Sequence, residues 1–333
     1  MTRDEPDSQA LGLRSPSVPH RLLPRLAFTG PDRTGGFSGR RYRRMRETRW
    51  GYLYVAPALL ILFAFTFAPT LFVVYISFFN WNLLDPPLSR AVGLGNFSQL
   101  LGSADFLHSL FVTAYFAVAT VALGTAIGLF IALALNRKAF GRSATRLAVF
   151  SPYVTPLVAT SIIWVWIFNP QFGLANAALH AVGLPELQWL ESTTWALPAV
   201  VIFTLWHNLG FTVIIFLAGL TTISQELSDA ARVDGADAWQ EFLWVTLPQL
   251  TPTVLFVVII STVGALQAFT QFYNMTGGGP LNATTTTSYL LYEQAFVFYR
   301  AGPAAALAVI LFVITAVLTL VQLRLGRNRD ASA

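Results

Sequence analysis

The sequence predicts an all-α membrane protein: six transmembrane helices, with a cytoplasmic helical loop between spans four and five. Three observations carry this. Charge is scarce, 11% of 333 residues, where a soluble domain holds about 25%. Six long intervals hold no charged residue at all: Arg49 to Asp85, Asp105 to Arg137, Arg146 to Glu186, Glu191 to Glu226, Glu241 to Glu293 and Arg300 to Arg324. A helix needs about 20 apolar residues to cross a bilayer core, and every interval is long enough. They are apolar on all faces, which fits helices and not the alternating pattern of barrel strands. Finally, 19 of the 21 basic residues fall on one side of a six-span chain, leaving only Arg90 and Arg300 opposite. By the positive-inside rule both termini are cytoplasmic.

The spans read in order as follows. Residues 1–49 form an Arg-rich cytoplasmic tail whose Pro and Ser content predicts disorder near anionic lipid. The transmembrane domain is 50–324, with spans at about 51–79, 107–135, 147–168, 194–220, 251–275 and 303–323, and 325–333 is a cytoplasmic tail. Span one tolerates Pro57 and Pro69 because neighbouring helices can satisfy the freed backbone, and Trp81 is placed as an interfacial aromatic. Span two carries Gly124, Gly128 and Ala132 at four-residue spacing, a stripe that lets helix backbones approach. Span three begins near Pro152 and Pro156, and its Trp164 and Trp166 are packing or lipid-facing residues. Span five ends in an outer turn rich in Gly and Thr, "TGGGPLNATTTT".

Several functions are excluded. There is no cysteine and no pair of histidines at ligand spacing, so no metal site is expected. The only lysine, Lys138 in "NRKAF", lacks the glycines and the Ser or Thr of a phosphate-binding loop, so the chain binds no nucleotide through one. The basic residues flank membrane spans, which argues against nucleic acid as partner. The spans contain no Asp, Glu, Lys or Arg. This disfavours a membrane-embedded enzyme and an ion-coupled secondary transporter, both of which leave ionisable groups in the bilayer.

The inner loop stands apart. "DAARVDGADAWQEFLWVTLPQLTP", Asp229 to Pro252, is predicted to form two short helices. Ile223, Leu227, Ala230 and Ala231 share one helical face. Gly235 supplies the turn. Asp237 caps a second helix with Gln240 three residues on. Trp239, Phe242, Leu243 and Thr246 give that helix an apolar face, Pro248 ends it, and Pro252 marks the start of span five. Its charge is acidic, whereas helices that lie on lipid carry Lys and Arg. A protein partner fits it better than a membrane surface.

The segment resembles the cytoplasmic loop of binding-protein-dependent ABC importer permeases, whose pattern is roughly E-A-A-x-x-D-G-A followed by F, L-P and P. Asp229-Ala230-Ala231, Asp234-Gly235-Ala236, Phe242, Leu247-Pro248 and Pro252 match it, with Asp229 for the usual Glu and Ser224 where Pro is frequent. The resemblance covers about 52–323. "VGLGNF", "FNPQFGLAN", "LAGLTTISQEL" and "GGPLNATT" are similar to the carbohydrate branch, the maltose and glycerol-3-phosphate type. It implies a bacterial inner-membrane permease that pairs with a second homologous permease, a cytoplasmic ABC ATPase dimer and an extracytoplasmic solute-binding protein. ATP and Mg belong to the ATPase, and no cofactor belongs to this chain. The coupling residues are then Asp229, Ala230, Ala231, Asp234, Gly235, Ala236, Phe242 and Pro248.

The cargo is read from the span residues. Gln267, Gln271 and Asn274 fall at i, i+4 and i+7 on span five, so their shared face lines a cavity or joins helices. Trp206, His207 and Asn208 lie mid-span in span four, where a lone His most often makes a helix–helix hydrogen bond. A sugar or oligosaccharide is the expected cargo. A polyol or a glycerophosphoryl solute is the alternative, although a phosphate would favour buried Arg or Lys.

Overall fold

The computed structural model describes Tyr52, residues 54–84, 89–136 and 142–330. The Arg-rich tail, Asp85, Arg137, Lys138 and 331–333 lie outside the described residues. The chain divides into two compact units, Met1–Leu62 and Phe63–Ala333. The packing below is that of the second.

Twelve helices are described. They are α1 (Tyr54–Ile76), α2 (Gly95–Leu101), α3 (Ala104–Asn136), α4 (Arg142–Val154), α5 (Leu157–Ile167) and α6 (Leu174–Ala181). Then follow α7 (Ala196–Thr221), α8 (Gln225–Val233), α9 (Ala238–Leu266), α10 (Thr270–Met275), α11 (Thr287–Tyr292) and α12 (Ala301–Asp330). One small hairpin interrupts the all-helical expectation: β1 (Phe79–Asn80) pairs antiparallel with β2 (Arg90–Ala91), Phe79 opposite Ala91. Among the described residues five helices are long and apolar enough to cross a membrane, namely α1, α3, α7, α9 and α12 up to Gly326. The pair α4 and α5 would make a sixth if it is one bent span.

That pair corrects the single third span expected at 147–168. The two helices meet at 101°. Pro156 has no N–H to continue the ladder, and a residue before proline avoids helical geometry. Pro156 itself is extended, with φ −60° and ψ 123°, and starts α5 as its N-cap.

Two other prolines do not break their helices. A π-turn at Phe63–Phe67 precedes Pro69, and another at Phe242–Thr246 precedes Pro248. A proline ring collides with the carbonyl four residues earlier, here that of Phe65 or Trp244. Both carbonyls lie inside the widened turn, which relieves the collision. The second short helix expected to stop at Pro248 is therefore the first turns of α9, and Pro252 is interior to that helix.

The bundle is built around α7. Half of its most apolar stretch is buried, against 6–28% for the other four long helices. Those four keep broad apolar surface for lipid or other subunits. The stripe on α3 seats α7: Gly124 faces Leu205, and a Cβ on Gly128 would run into the Thr212 methyl. Ala132 is fully buried beside Phe216 and Leu220. In hydrocarbon there is no gain from leaving water, so such close backbone approach decides which helices pair.

The ends of α3 are chemically different. Near Ala104, Thr113 accepts the Thr287 N–H at 2.9 Å, and the Ser109 and Thr287 hydroxyls are 3.4 Å apart. Near Asn136, Ala132 clusters with Leu250, and Ile223 packs against that cluster. Thirty-three residues of helix separate the two ends by about 50 Å.

Candidate functional site

Two regions contain most of the expected site residues, one beside the Asn136 end of α3 and one beside its middle. At the Asn136 end, α8 starts at Ser224, whose hydroxyl accepts the Glu226 N–H at 3.2 Å. Ile223 therefore precedes the helix and is not part of its face. The helix closes as the sequence predicts. Gly235 has φ +86°, and the Ala236 N–H bonds back to the Ala231 carbonyl at 2.9 Å. This is the six-to-one bond of a glycine-terminated helix. Asp237 then accepts the N–H groups of Trp239 and Gln240 at 2.9 and 2.8 Å, while the Gln240 side chain accepts the Asp237 N–H at 2.9 Å. Both halves of the capping box are present.

The two arms are held together by a pair the sequence did not suggest. Arg232 Nε donates to Glu241 Oε2 at 3.0 Å and its Nη2 to Oε1 at 3.2 Å. Asp229 lies 3.7 Å from the same guanidinium. The hydrogen bond and charge of Glu241 raise the Arg232 pKa above its ordinary value. The acidity of the loop is thus partly spent internally: Glu241 on the clamp, Asp237 on a cap. No residue of α8, of 238–241 or of the π-turn is buried. Val233, Trp239 and Trp244 are 87%, 66% and 79% exposed. Ala231, Ala236 and Phe242 are half-buried; Asp229, Ala230, Asp234 and Pro248 are exposed.

The second region is a cavity of about 390 Å³ between α3, α4, α7 and the end of α9. It exists because α9 stops at Leu266, which corrects the continuous span expected to 275. Gln267 caps the helix, Phe269 turns the chain, and α10 begins at Thr270. Gln267, Gln271 and Asn274 therefore do not share one uninterrupted helical face. The carbonyls freed at the break are satisfied from afar. Ser288 donates to Leu266 O at 3.2 Å and Thr286 to Ala268 O at 3.4 Å.

Gln267 and Gln271 line the cavity, as do His207 and Asn208. Gln267 is exposed and Gln271 buried. His207 Nε2 donates to the Thr155 carbonyl at 3.3 Å, at the α4–α5 break, and Nδ1 lies 3.2 Å from the Asn208 amide. The expected helix–helix bond is made, and the ring faces the cavity as well. Two expected pathway residues are elsewhere. Asn274 donates to Ser161 Oγ at 3.0 Å and joins α10 to α5. Trp206 packs on Trp164 with ring centres 5.2 Å apart and does not line the cavity. Trp166 is exposed at 67%, as a lipid-facing residue would be. Tyr153, Phe116, Thr120, Thr204 and Phe269 also line the wall and carry no role in the sequence reading. Tyr153 and Phe269 lie within three residues of the breaks at Pro156 and Gln267, whereas nothing local in the sequence marks Phe116, Thr120 or Thr204.

An apolar bundle with a cavity at a broken helix, lined by apolar side chains and a few amides and hydroxyls, and an unburied two-armed loop at one end, defines a membrane-transport subunit. The chain belongs to the family of binding-protein-dependent transport system inner membrane components, which it matches over residues 124–330. This is a permease family of ABC transporters and not an enzyme family. The trehalose/maltose transport system permease protein MalF of Thermococcus litoralis is 35% identical over 86% of this chain and 96% of its own length. The sulfoquinovosyl glycerol transport system permease protein SmoG of Agrobacterium fabrum is 32% identical over 86% and 95%. A bacterial alginate ABC transporter, solved in complex with an alginate pentasaccharide-bound periplasmic protein, has the same fold. Its TM-score is 0.76 at 22% identity, over 86% of this chain and 97% of that one.

Proposed function

We propose that this chain is the permease subunit of an ATP-driven importer for a neutral sugar or oligosaccharide. With a second homologous permease it forms the pathway, in the bacterial inner membrane. An extracytoplasmic binding protein delivers the cargo, and a separate ATPase dimer holds ATP and Mg. The observation that carries the reading is the cavity wall: amides at Asn208, Gln267 and Gln271, hydroxyls at Thr120 and Thr204, and rings at Phe116, Tyr153 and Phe269. Amides and hydroxyls match sugar hydroxyls, and aromatic faces match their C–H faces. None of the lining residues is Asp, Glu, Lys or Arg, which disfavours a phosphorylated cargo. Relatives named for trehalose, maltose and a sulfoquinovosyl glycerol support the carbohydrate class.

In the same reading the bent pair α4–α5 counts as the sixth span, and both termini are cytoplasmic. The α8 and Asp237 arms then dock into the ATPase, with Asp229, Ala230, Ala231, Asp234, Gly235, Ala236, Phe242 and Pro248 in the coupling segment. Exposed Val233, Trp239 and Trp244 support a protein partner there, because apolar side chains at a loop tip gain from burial. Closure of the ATPases would move this rigid clamp and tilt α7 and α9 as bodies. Reconstitution with the second permease, the ATPase and the binding protein tests the proposal. Sugar-dependent uptake that requires ATP is expected, and ATP hydrolysis without uptake of any saccharide would refute it.

A further inference from the structure

Five aromatic rings gather between the cavity and the Ala104 end of the bundle. Phe269 belongs to both regions: its ring lines the cavity and lies 5.2 Å from Tyr292 and 5.4 Å from Tyr273. Tyr292 in turn lies 5.6 Å from Phe296 and 5.2 Å from Tyr273. Tyr289, 8% exposed, backs the group at 6.3 Å from Phe269 and 6.1 Å from Tyr292. Exposure rises outward. Tyr289 is buried, Phe269 and Tyr292 are half-buried, Tyr273 is 47% exposed and Phe296 62%.

An aromatic core would bury all of these rings. An interfacial aromatic belt would not run into a cavity that carries amide side chains. Here the inner end is flanked by Gln267, Thr270 and Gln271; Phe269 stands on the broken backbone and Tyr273 on α10 just after it, while Tyr289, Tyr292 and Phe296 follow Thr286 and Ser288, the residues that satisfy the carbonyls of the break. The break therefore builds both the cavity and the platform beside it. Size adds a second argument. At about 390 Å³ the cavity is near the small end of ligand pockets, about 300–1,000 Å³. A chain of several sugars must extend past it, and the rings mark a direction in which it can extend.

We infer that Phe269, Tyr273, Tyr292 and Phe296 form an aromatic track that stacks successive pyranose rings outside the cavity, so that this permease favours oligosaccharides over disaccharides. Sugar C–H faces meet the negative ring faces, and the Tyr hydroxyls supply hydrogen bonds at the edges. This rests on the carbohydrate reading above.

The test is uptake by the complete reconstituted transporter. The probes are linear oligomers of glucose, mannose, galactose and xylose, each at two and five units. In whichever series the wild type carries, Tyr292→Ala and Phe296→Ala should lower pentasaccharide uptake about three- to tenfold, the size of one lost aromatic contact. Disaccharide uptake should be unchanged in Phe296→Ala, whose ring is off the cavity wall, and Phe296→Trp should retain both. Equal loss at both lengths in Phe296→Ala, or equal loss in Phe296→Trp, overturns the track. So does wild-type uptake confined to disaccharides. Loss of the second permease on purification of the alanine variants also overturns it, by making the face a subunit interface. If the wild type carries none of the panel, the track falls, while the carbohydrate reading stands or falls separately on uptake of any saccharide.

Discussion

Arg232 and Glu241, nine residues apart, meet through two parallel hydrogen bonds of 3.0 and 3.2 Å. They tie the end of α8 to the start of α9 across the Gly235 turn. Glu241 lies in the first turn of the helix that runs to Leu266 at the cavity, so this pair connects the loop mechanically to the site.

On the proposed coupling role, Arg232→Ala or Glu241→Gln loosens the loop without unfolding the bundle, since neither partner supports the core. Uptake per ATP hydrolysed is expected to fall while the chain remains in the membrane. The exchanged pair, Arg232→Glu with Glu241→Arg, should recover part of it. Charge reversal at Asp229, 3.7 Å from the guanidinium, should act in the same direction. Uptake-to-ATPase ratios in proteoliposomes measure this, and an unchanged ratio in the single variants would remove the clamp from the mechanism.

Gly235 gives a graded series. A Cβ there would meet nothing within 4 Å, so only its φ of +86° matters. Left-handed backbone costs an ordinary residue about 1–2 kcal/mol, and Asn tolerates it best. Coupling should therefore decline in the order Gly, Asn, Ala, Val, with Gly235→Pro uncoupled, because proline cannot adopt positive φ. ATPase-coupled uptake across the series checks the order, and equal activity of Asn and Pro would contradict it.

Thr286 holds the α9 break. Its hydroxyl donates to Ala268 O and accepts the Tyr289 N–H at 3.2 Å. Thr286→Val keeps the shape and strands both buried groups, a loss of about 1–3 kcal/mol. Thr286→Ser should be close to wild type. Thermal unfolding of the purified complex reads the difference, and identical midpoints for Val and Ser would show that the break is held otherwise.

The glutamine and asparagine that looked equivalent in sequence should separate. Gln271→Ala faces the cavity and is expected to raise KM with little change in stability. Asn274→Ala loses the bond to Ser161 and should lower stability with KM nearly unchanged. Measuring both quantities for both variants decides the assignment, and a shared phenotype would mean that the break does not part their roles.

Much of this was legible in the residues. The loop was nearly complete, because the Gly235 turn and the Asp237–Gln240 box are set by side chains within three residues of the backbone they bond. The α3 stripe was legible for a similar reason, since four-residue spacing alone puts Gly124, Gly128 and Ala132 on one face. The sugar-type motifs were legible as patterns but not as roles. Asn96 of "VGLGNF" donates to the Ser77 and Phe79 carbonyls at 2.8 and 2.9 Å. Asn176 of "FNPQFGLAN" bonds Pro170, Leu187 and the Trp189 ring. Thr284 and Thr285 of "GGPLNATT" donate to the Gly279 and Gly278 carbonyls. These are staples of the loops, and none of them lines the cavity.

The sequence by itself determined where charge is absent, and hence where helices can cross lipid, together with the chemistry of the one polar loop. Only the tertiary structure decided where two of those helices break. At Pro156 the chain turns by 101° and the Thr155 carbonyl is met by His207, 52 residues on. At Leu266 the helix ends because Thr286 and Ser288, 18 and 22 residues away from the carbonyls they reach, satisfy what the break exposes. An unpaired carbonyl in hydrocarbon costs several kcal/mol, so a break survives only where a distant side chain arrives to pair it. No local window of sequence contains that information.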